Sequence, residues 1–229
     1  MSGHSQFALL RQRRFLPFFI VQALGAFNDN VYRQAIIGLL FYLGVSDEQR
    51  SLYTTLAPAI FILPYFLFSA LAGQIADKLE KSRLIVITTT MEIVIMSLAG
   101  IGFFTQRRGV LLVALFCTGL QSTLFGPVKY SVLPSVLRPE ELTGGNGLVE
   151  MGTSLSILTG MIFAGVMMSS TAYAPVVACG LVLRAALGYL ASRFIPRAAA
   201  ASPELKLQWN IFSQTAATLR LGLGQTPAV

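Results

Sequence analysis

Six stretches of this chain stay apolar for about 20 residues or longer, and that property decides the solvent in which it folds. They cover residues 15–43, 52–75, 84–104, 110–137, 142–168 and 174–195. At about 1.5 Å of rise per residue, each is long enough as a helix to cross the roughly 30 Å hydrocarbon core of a bilayer. Helix is the form to expect, because a chain in lipid has to satisfy every peptide group internally. Composition agrees: 54% of the 229 residues are hydrophobic and 12% are charged, against about a quarter charged in soluble domains. The reading is an all-α membrane protein, a six-transmembrane-helix bundle over residues 15–195, with a leader at 1–14 and a linker at 196–229. The leader does not read as a cleavable signal, since the apolar run after it is too long and lacks a small-residue cleavage site. Pro58 and Pro64 predict bends in the second span, tolerable where neighbouring helices re-satisfy the freed carbonyls. Short connections predict that consecutive helices lie side by side as antiparallel neighbours.

The 17 Lys and Arg exceed the 10 Asp and Glu for a net charge of +7, and their placement explains the excess. With the N-terminus in the cytoplasm, Arg11, Arg13, Arg14, Lys78, Lys81, Arg83, Arg138, Arg193 and Arg197 fall on that side, and Arg50, Arg107 and Arg108 on the other. Basic residues concentrate on the cytoplasmic side of membrane proteins, where they also meet anionic lipid. A nucleic-acid partner is therefore not expected. Beyond residue 195, Ser202 and Pro203 precede Leu205, Trp209 and Phe212 at i, i+4 and i+7. That spacing fits either a short amphipathic helix on the membrane surface, capped by Ser202, or an unstructured tail.

Charges inside a span are expensive, so each needs a partner, a wet cavity or a task. Glu92, Lys129 and Glu150 all fall roughly eight residues from the cytoplasmic end of their spans, about 12 Å by helical rise. They can meet at one depth, and Lys129 and Glu150 read either as a buried ion pair or as cavity residues for a charged part of a substrate. Asn28, Asp29 and Asn30 lie deeper, about 20 Å in, and three adjacent polar residues cover too much of a helix's circumference for packing alone. Asp29 is expected to face a cavity. Arg33 pairs with Asp29 along the helix or snorkels outward, while Arg184 has no partner apparent in sequence. Gly119, Gly126, Gly160 and Gly165 suit close helix approach. The cluster Gly144-Gly145-Asn146-Gly147 predicts a flexible or non-helical start to the fifth span.

Catalytic and metal chemistry finds little material. Cys117 and Cys179 sit inside apolar runs and His4 is the sole histidine, so no disulfide framework, metal centre or Ser-His-Asp arrangement can be assembled. The chain has no Gly-rich loop ending in Lys-Ser/Thr, and neither a cofactor nor enzymatic activity is expected.

The loop from Gly73 through Asp77, Lys78, Lys81 and Arg83 resembles the cytoplasmic signature of the major facilitator superfamily, with Glu80 where that family usually has glycine. In physical terms Gly73 would admit close packing, while Asp77 would charge-stabilise the next helix and pair with bases across the bundle, forming a conformational latch. More specifically, Gly25 to Asn30, Gly126 to Ser131 and Asn146 to Glu150 together resemble the bacterial lysophospholipid transporters of that superfamily. The resemblance covers all six spans. It implies a fold of twelve helices built from 3+3 inverted repeats, of which this chain would be the N-terminal half. It also implies movement of lysophosphatidylethanolamine and lysophosphatidylglycerol from the outer to the inner leaflet of a bacterial inner membrane by alternating access. Partners implied are the C-terminal six-helix half and an acyltransferase with an acyl-carrier-protein synthetase, fused in some relatives. Asp29, Lys129 and Glu150, with Asn28, Asn30 and Glu92 beside them, become the residues for substrate binding or gating. Two rival readings stand beside this one: a proton-coupled drug or solute exporter in which Asp29, Glu92 or Glu150 titrates, and a membrane scaffold that docks the acyltransferase.

Overall fold

The computed structural model describes residues 6–42 and 46–207. A 3-10 turn at Gln6–Arg11 leads into α1 (Leu16–Tyr42), followed by α2 (Asp47–Lys78), α3 (Lys81–Thr105), α4 (Arg108–Ser131), the short α5 (Leu133–Val136), α6 (Leu142–Met167) and α7 (Ala174–Ser192). The described residues hold helices and turns without a strand. Ser46 caps α2 by accepting the Gln49 backbone N–H at 3.2 Å, with Asp47 and Glu48 in its positively polarised first turn. Helix α2 then runs unbroken through Pro58 and Pro64. Five long helices, α2, α3, α4, α6 and α7, have the length and hydropathy to cross a membrane. At 27 residues α1 has the length, but Gln22, Asn28, Asp29, Asn30 and Arg33 dilute its apolar run.

Two span ends fall earlier than the apolar runs suggest. Helix α4 stops at Ser131 because Pro134, which cannot donate a backbone hydrogen bond, starts the separate turn α5. Helix α7 stops at Ser192, short of Pro196, whose ring disfavours helical backbone in the residue before it. The flexible start expected at Gly144–Gly147 is also absent: α6 is helical from Leu142. Two of those glycines serve close packing, since a Cβ on Gly145 would run into Leu137 and one on Gly144 would lie 3.1 Å from Gln6, whereas one on Gly147 would meet nothing within 4 Å.

Apart from α3–α4, helix neighbours do not follow chain order. Helix α2 packs on α4, α1 on α6 and α7, and α3 on α4 and α7, whereas α1–α2, α2–α3 and α6–α7 scarcely touch. A short loop reverses the chain but leaves each helix free to turn its apolar and small residues towards another partner. Gly119 of α4 fits against the Phe61 carbonyl of α2, and Gly160 of α6 against the Phe27 carbonyl of α1. The pattern has a pseudo-twofold: exchanging α1, α2 and α3 with α4, α6 and α7 maps α2–α4 onto α1–α6 and α3–α4 onto α1–α7, and leaves α3–α7 on itself. This is the contact arrangement of a 3+3 repeat.

Two apolar cores fill the bundle. One, at the N-terminal end of α1, gathers Phe15, Phe18, Leu84, Ile85, Val128 and Leu148; the other gathers Tyr32, Leu39, Met96, Phe103, Leu115 and Leu181. Polar residues of α1, α3 and α4 lie in the band between them. After α7 the chain folds back across the α2–α3 loop. The Lys81 N–H donates to the Ala198 carbonyl at 2.9 Å, the Ala198 N–H to Ser82 Oγ at 3.3 Å and the Ser202 N–H to the Asp77 carbonyl at 2.8 Å. Ser202 opens a β-turn closed by the Leu205 N–H rather than a helix; Trp209 and Phe212 lie outside the described residues.

Candidate functional site

The band between the two cores opens into a cavity of about 440 Å³, within the size range of small-molecule sites. Asp29, Asn30 and Arg33 reach it from α1, Glu92 from α3, Lys129 from α4, and Phe61 and Tyr65 supply an aromatic wall from α2. Asn28 is fully buried and not part of the cavity lining, donating through Nδ2 to Glu92 Oε1 at 2.8 Å and to the Leu181 carbonyl at 3.3 Å. It thus ties α1 to α3 and α7 at the level of the cavity. A Cβ on Gly25 would sit 4.0 Å from Glu92 Oε2, so the glycine leaves space in front of that oxygen.

The intramembrane charges meet different fates. Lys129 Nζ lies 3.1 Å from Glu150 Oε1 and donates to Thr153 Oγ1 at 2.8 Å. Thr153 in turn donates to Gln22 Oε1 at 2.8 Å, carrying the chain of contacts from α4 through α6 to α1. The pair is asymmetric: the lysine side chain is 12% exposed and the glutamate 52%. Glu150 also accepts from Tyr130 at 2.9 Å and stands outside the cavity, so it is not at one site with Glu92. Asp29 accepts from Ser122 Oγ at 2.7 Å through one oxygen, while its other oxygen is buried and unbonded. Among the described residues, no ion pair reaches Asp29 or Glu92.

The two arginines resolve in ways the sequence left open. Arg33 bonds Asn30 Oδ1 at 2.6 Å, lies over the Phe61 ring at 5.5 Å and lines the cavity, without an ion pair to Asp29. Arg184 packs its guanidinium 3.7 Å from the centre of the Phe27 ring, a cation–π contact available without any acidic partner. Gln22, Ser122 and Thr153 were not singled out from sequence. Uncharged Ser, Thr and Gln are common in spans and hydrogen-bond locally, so only the packing marks these three.

The loop signature is arranged otherwise than its chemistry suggested. A Cβ on Gly73 would meet nothing within 4 Å, so close packing does not require glycine there. Helix α3 is preceded by Glu80, which makes no side-chain cap, and Asp77 contributes its backbone carbonyl to Ser202 rather than a carboxylate to the helix. Arg83 approaches Glu80 at 3.9 Å, and Lys78 borders a groove beside α7.

An apolar-walled cavity holding a lysine on one side and two acids on the other is suited to a molecule with an oily body and a charged head. The family profile of the Major Facilitator Superfamily matches residues 18–223. A lysophospholipid transporter, LplT, of Citrobacter koseri is 32% identical over 183 residues, covering 80% of this chain and 43% of that protein. The protein of the same name from Salmonella heidelberg is 30% identical over 203 residues, covering 87% and 46%. This chain therefore spans less than half the length of those relatives. Among solved structures, that of the human organic anion transporter MFSD10 (TETRAN) superposes with a TM-score of 0.68 at 14% identity, over 92% of this chain and 55% of the other, a likeness of fold alone. With the profile match running across nearly all the helices and the 3+3 packing beneath it, the chain belongs to the major facilitator superfamily.

Proposed function

We propose that this chain is the N-terminal six-helix half of a secondary transporter that moves lysophospholipids across a bacterial inner membrane by alternating access. The single observation that carries the reading is the cavity, where Lys129 and the Asp29 and Glu92 carboxylates border one apolar-walled space. A zwitterionic or anionic phosphate headgroup needs a cation to receive it, and one acyl chain needs an apolar wall. In this scheme Lys129 exchanges part of its contact with exposed Glu150 for the phosphate, and Thr153 and Gln22 hold its ammonium in place. Asp29 receives the ethanolamine amine or acts at a separate gating step, Asn30 and Asn28 set the positions of Arg33 and Glu92, and Phe61 and Tyr65 flank the chain. The lysophospholipid transporters among its relatives support the substrate class.

The remaining parts of the scheme follow from the same reading. Lysophosphatidylethanolamine and lysophosphatidylglycerol travel from the outer to the inner leaflet, where an acyltransferase with its acyl-carrier-protein synthetase, free or fused, re-acylates them. The basic N-terminal face, with its leader and the linker after α7, lies in the cytoplasm. Residues 73–83 form the latch that steadies one state of the cycle, and a second six-helix unit closes the cavity from the side of α2 and α6, whose apolar side chains are widely exposed.

Uptake of labelled lysophosphatidylethanolamine by cells lacking their own transporter, expressing the complete product of this gene at matched membrane levels, tests the reading. Lipid should enter with the wild-type protein, and Lys129→Ala or Asp29→Ala should remove most of it. Transport of a water-soluble or cationic solute instead, driven by a proton gradient, would overturn the lipid reading in favour of an exporter. Re-acylation that depends on the protein while lipid movement does not would favour the scaffold.

A further inference from the structure

A second cavity, of about 810 Å³, lies at the N-terminal face between the start of α3 and the end of α7, away from the cavity described above. Its rim carries Lys78, Arg83, Arg193 and Arg197, and its floor is apolar, with Val86, Ile87 and Ile195. These residues come together only because the chain folds back after α7: the backbone bonds between Ala198 and the Lys81–Ser82 pair set Arg193 and Arg197 beside the α2–α3 loop. Glu80 is the one acid on the rim, and its carboxylate is occupied by Ser82 Oγ at 2.7 Å with Arg83 at 3.9 Å. Among the described residues, no ion pair reaches Lys78, Arg193 or Arg197.

The first turn of α3 adds to this field. Its N-terminus has no side-chain cap, but the Lys81 N–H is held by the Ala198 carbonyl, so the positive end of the helix dipole adds only a modest field at this face. The apolar floor then continues down the bilayer side of the groove from Val86 to Ile87, whose side chain is 47% exposed. A rim of four cations with an apolar trough below it matches an amphiphile with an anionic head. A free phosphate would satisfy the rim and leave the trough unfilled.

We propose that the groove between the start of α3 and the end of α7 holds a resident anionic phospholipid, its phosphate on Arg193, Arg197 and Arg83 and its acyl chains along Ile87. Such a lipid would neutralise cations that the fold has crowded together and would fasten the returning segment 195–202 onto the α2–α3 loop. It is a structural ligand, distinct from cargo in the central cavity.

Native mass spectrometry of the complete gene product, delipidated and titrated with phosphatidylglycerol or phosphatidylethanolamine, tests this directly. Arg193→Gln combined with Arg197→Gln should weaken phosphatidylglycerol retention about thirtyfold, the loss of two cations at about 1 kcal/mol each near a membrane surface. Phosphatidylethanolamine retention should not change. The matched pair Arg11→Gln and Arg13→Gln, on the same face but outside the groove, should leave phosphatidylglycerol binding at the wild-type level. Ile87→Asp, which keeps every rim cation, should also weaken it. Equal losses in both arginine pairs would reduce the effect to diffuse surface charge and overturn the proposal, as would wild-type retention in the groove pair. Because the readout is lipid bound rather than lipid moved, it stands or falls independently of the transport reading.

Discussion

The same residue type has opposite consequences at different positions of one helix. A Cβ on Gly119 would collide with the Phe61 carbonyl, a backbone atom that cannot swing aside, while one on Gly126 meets nothing within 4 Å. Gly119→Ala should therefore lower stability by about 1–3 kcal/mol, and Gly126→Ala should be neutral or stabilising by up to about 1 kcal/mol through helix propensity; thermal unfolding in detergent compares them. Asn28 is a second such point, since removing its amide leaves the buried Glu92 carboxylate without its 2.8 Å donor. Asn28→Ala should cost about 1–3 kcal/mol, and a double-mutant cycle with Glu92→Gln should show a coupling of about 0.5 kcal/mol or more. At the N-terminal face, the Arg138 backbone N–H first, and the Arg14 guanidinium at 2.7 Å next, hold the Glu141 carboxyl below its ordinary 4.5. A depressed carboxyl pKa adds stability above the unfolded value and loses it as pH falls through the folded one. Wild type should accordingly melt higher than Glu141→Gln at neutral pH, and the difference should shrink below roughly pH 4. Of the site residues, the charged ones were legible in sequence because charge in a span is costly, whereas Gln22, Ser122 and Thr153 were not, because their hydroxyl and amide groups are cheap there.

Five of the six long helices could be read from hydropathy, since lipid leaves a 20-residue apolar segment no alternative conformation, while α1 carries polar residues that dilute its run. Ends were less legible, being set by Pro134 and Pro196 rather than by where the apolar run fades. Partners were legible only in part: the expectation that consecutive helices pack together holds for α3–α4 and fails for α1–α2, α2–α3 and α6–α7. The α3–α7 contact offers a check, because a Cβ on Gly100 would lie 4.0 Å from that of Ala178, inside the range for a disulfide. In a protein with Cys117 and Cys179 replaced by Ser, Gly100→Cys with Ala178→Cys should cross-link under mild oxidant, seen as a mobility shift on a non-reducing gel. No shift would contradict the packing of α3 on α7.

For the molecule as a whole, the strongest expectation concerns sidedness. If the basic face lies in the cytoplasm, a cysteine in place of Arg197 should react with a membrane-impermeant maleimide only after the inner membrane is opened, and one in place of Arg107 should react with it intact. The reverse result would invert the topology. By itself the sequence determined the class of fold: long apolar segments force membrane helices, and charges stranded within them point to a functional interior, because both effects depend on transfer from water to lipid and not on neighbours. Only the tertiary structure decided which helices touch, which of Asp29, Glu92, Lys129 and Glu150 share the cavity, and how Arg193 and Arg197 come to flank the α2–α3 loop. Those outcomes rest on close fit between residues distant in the chain, such as Gly119 against Phe61 or Ala198 against Ser82, and one-dimensional spacing carries no record of that fit.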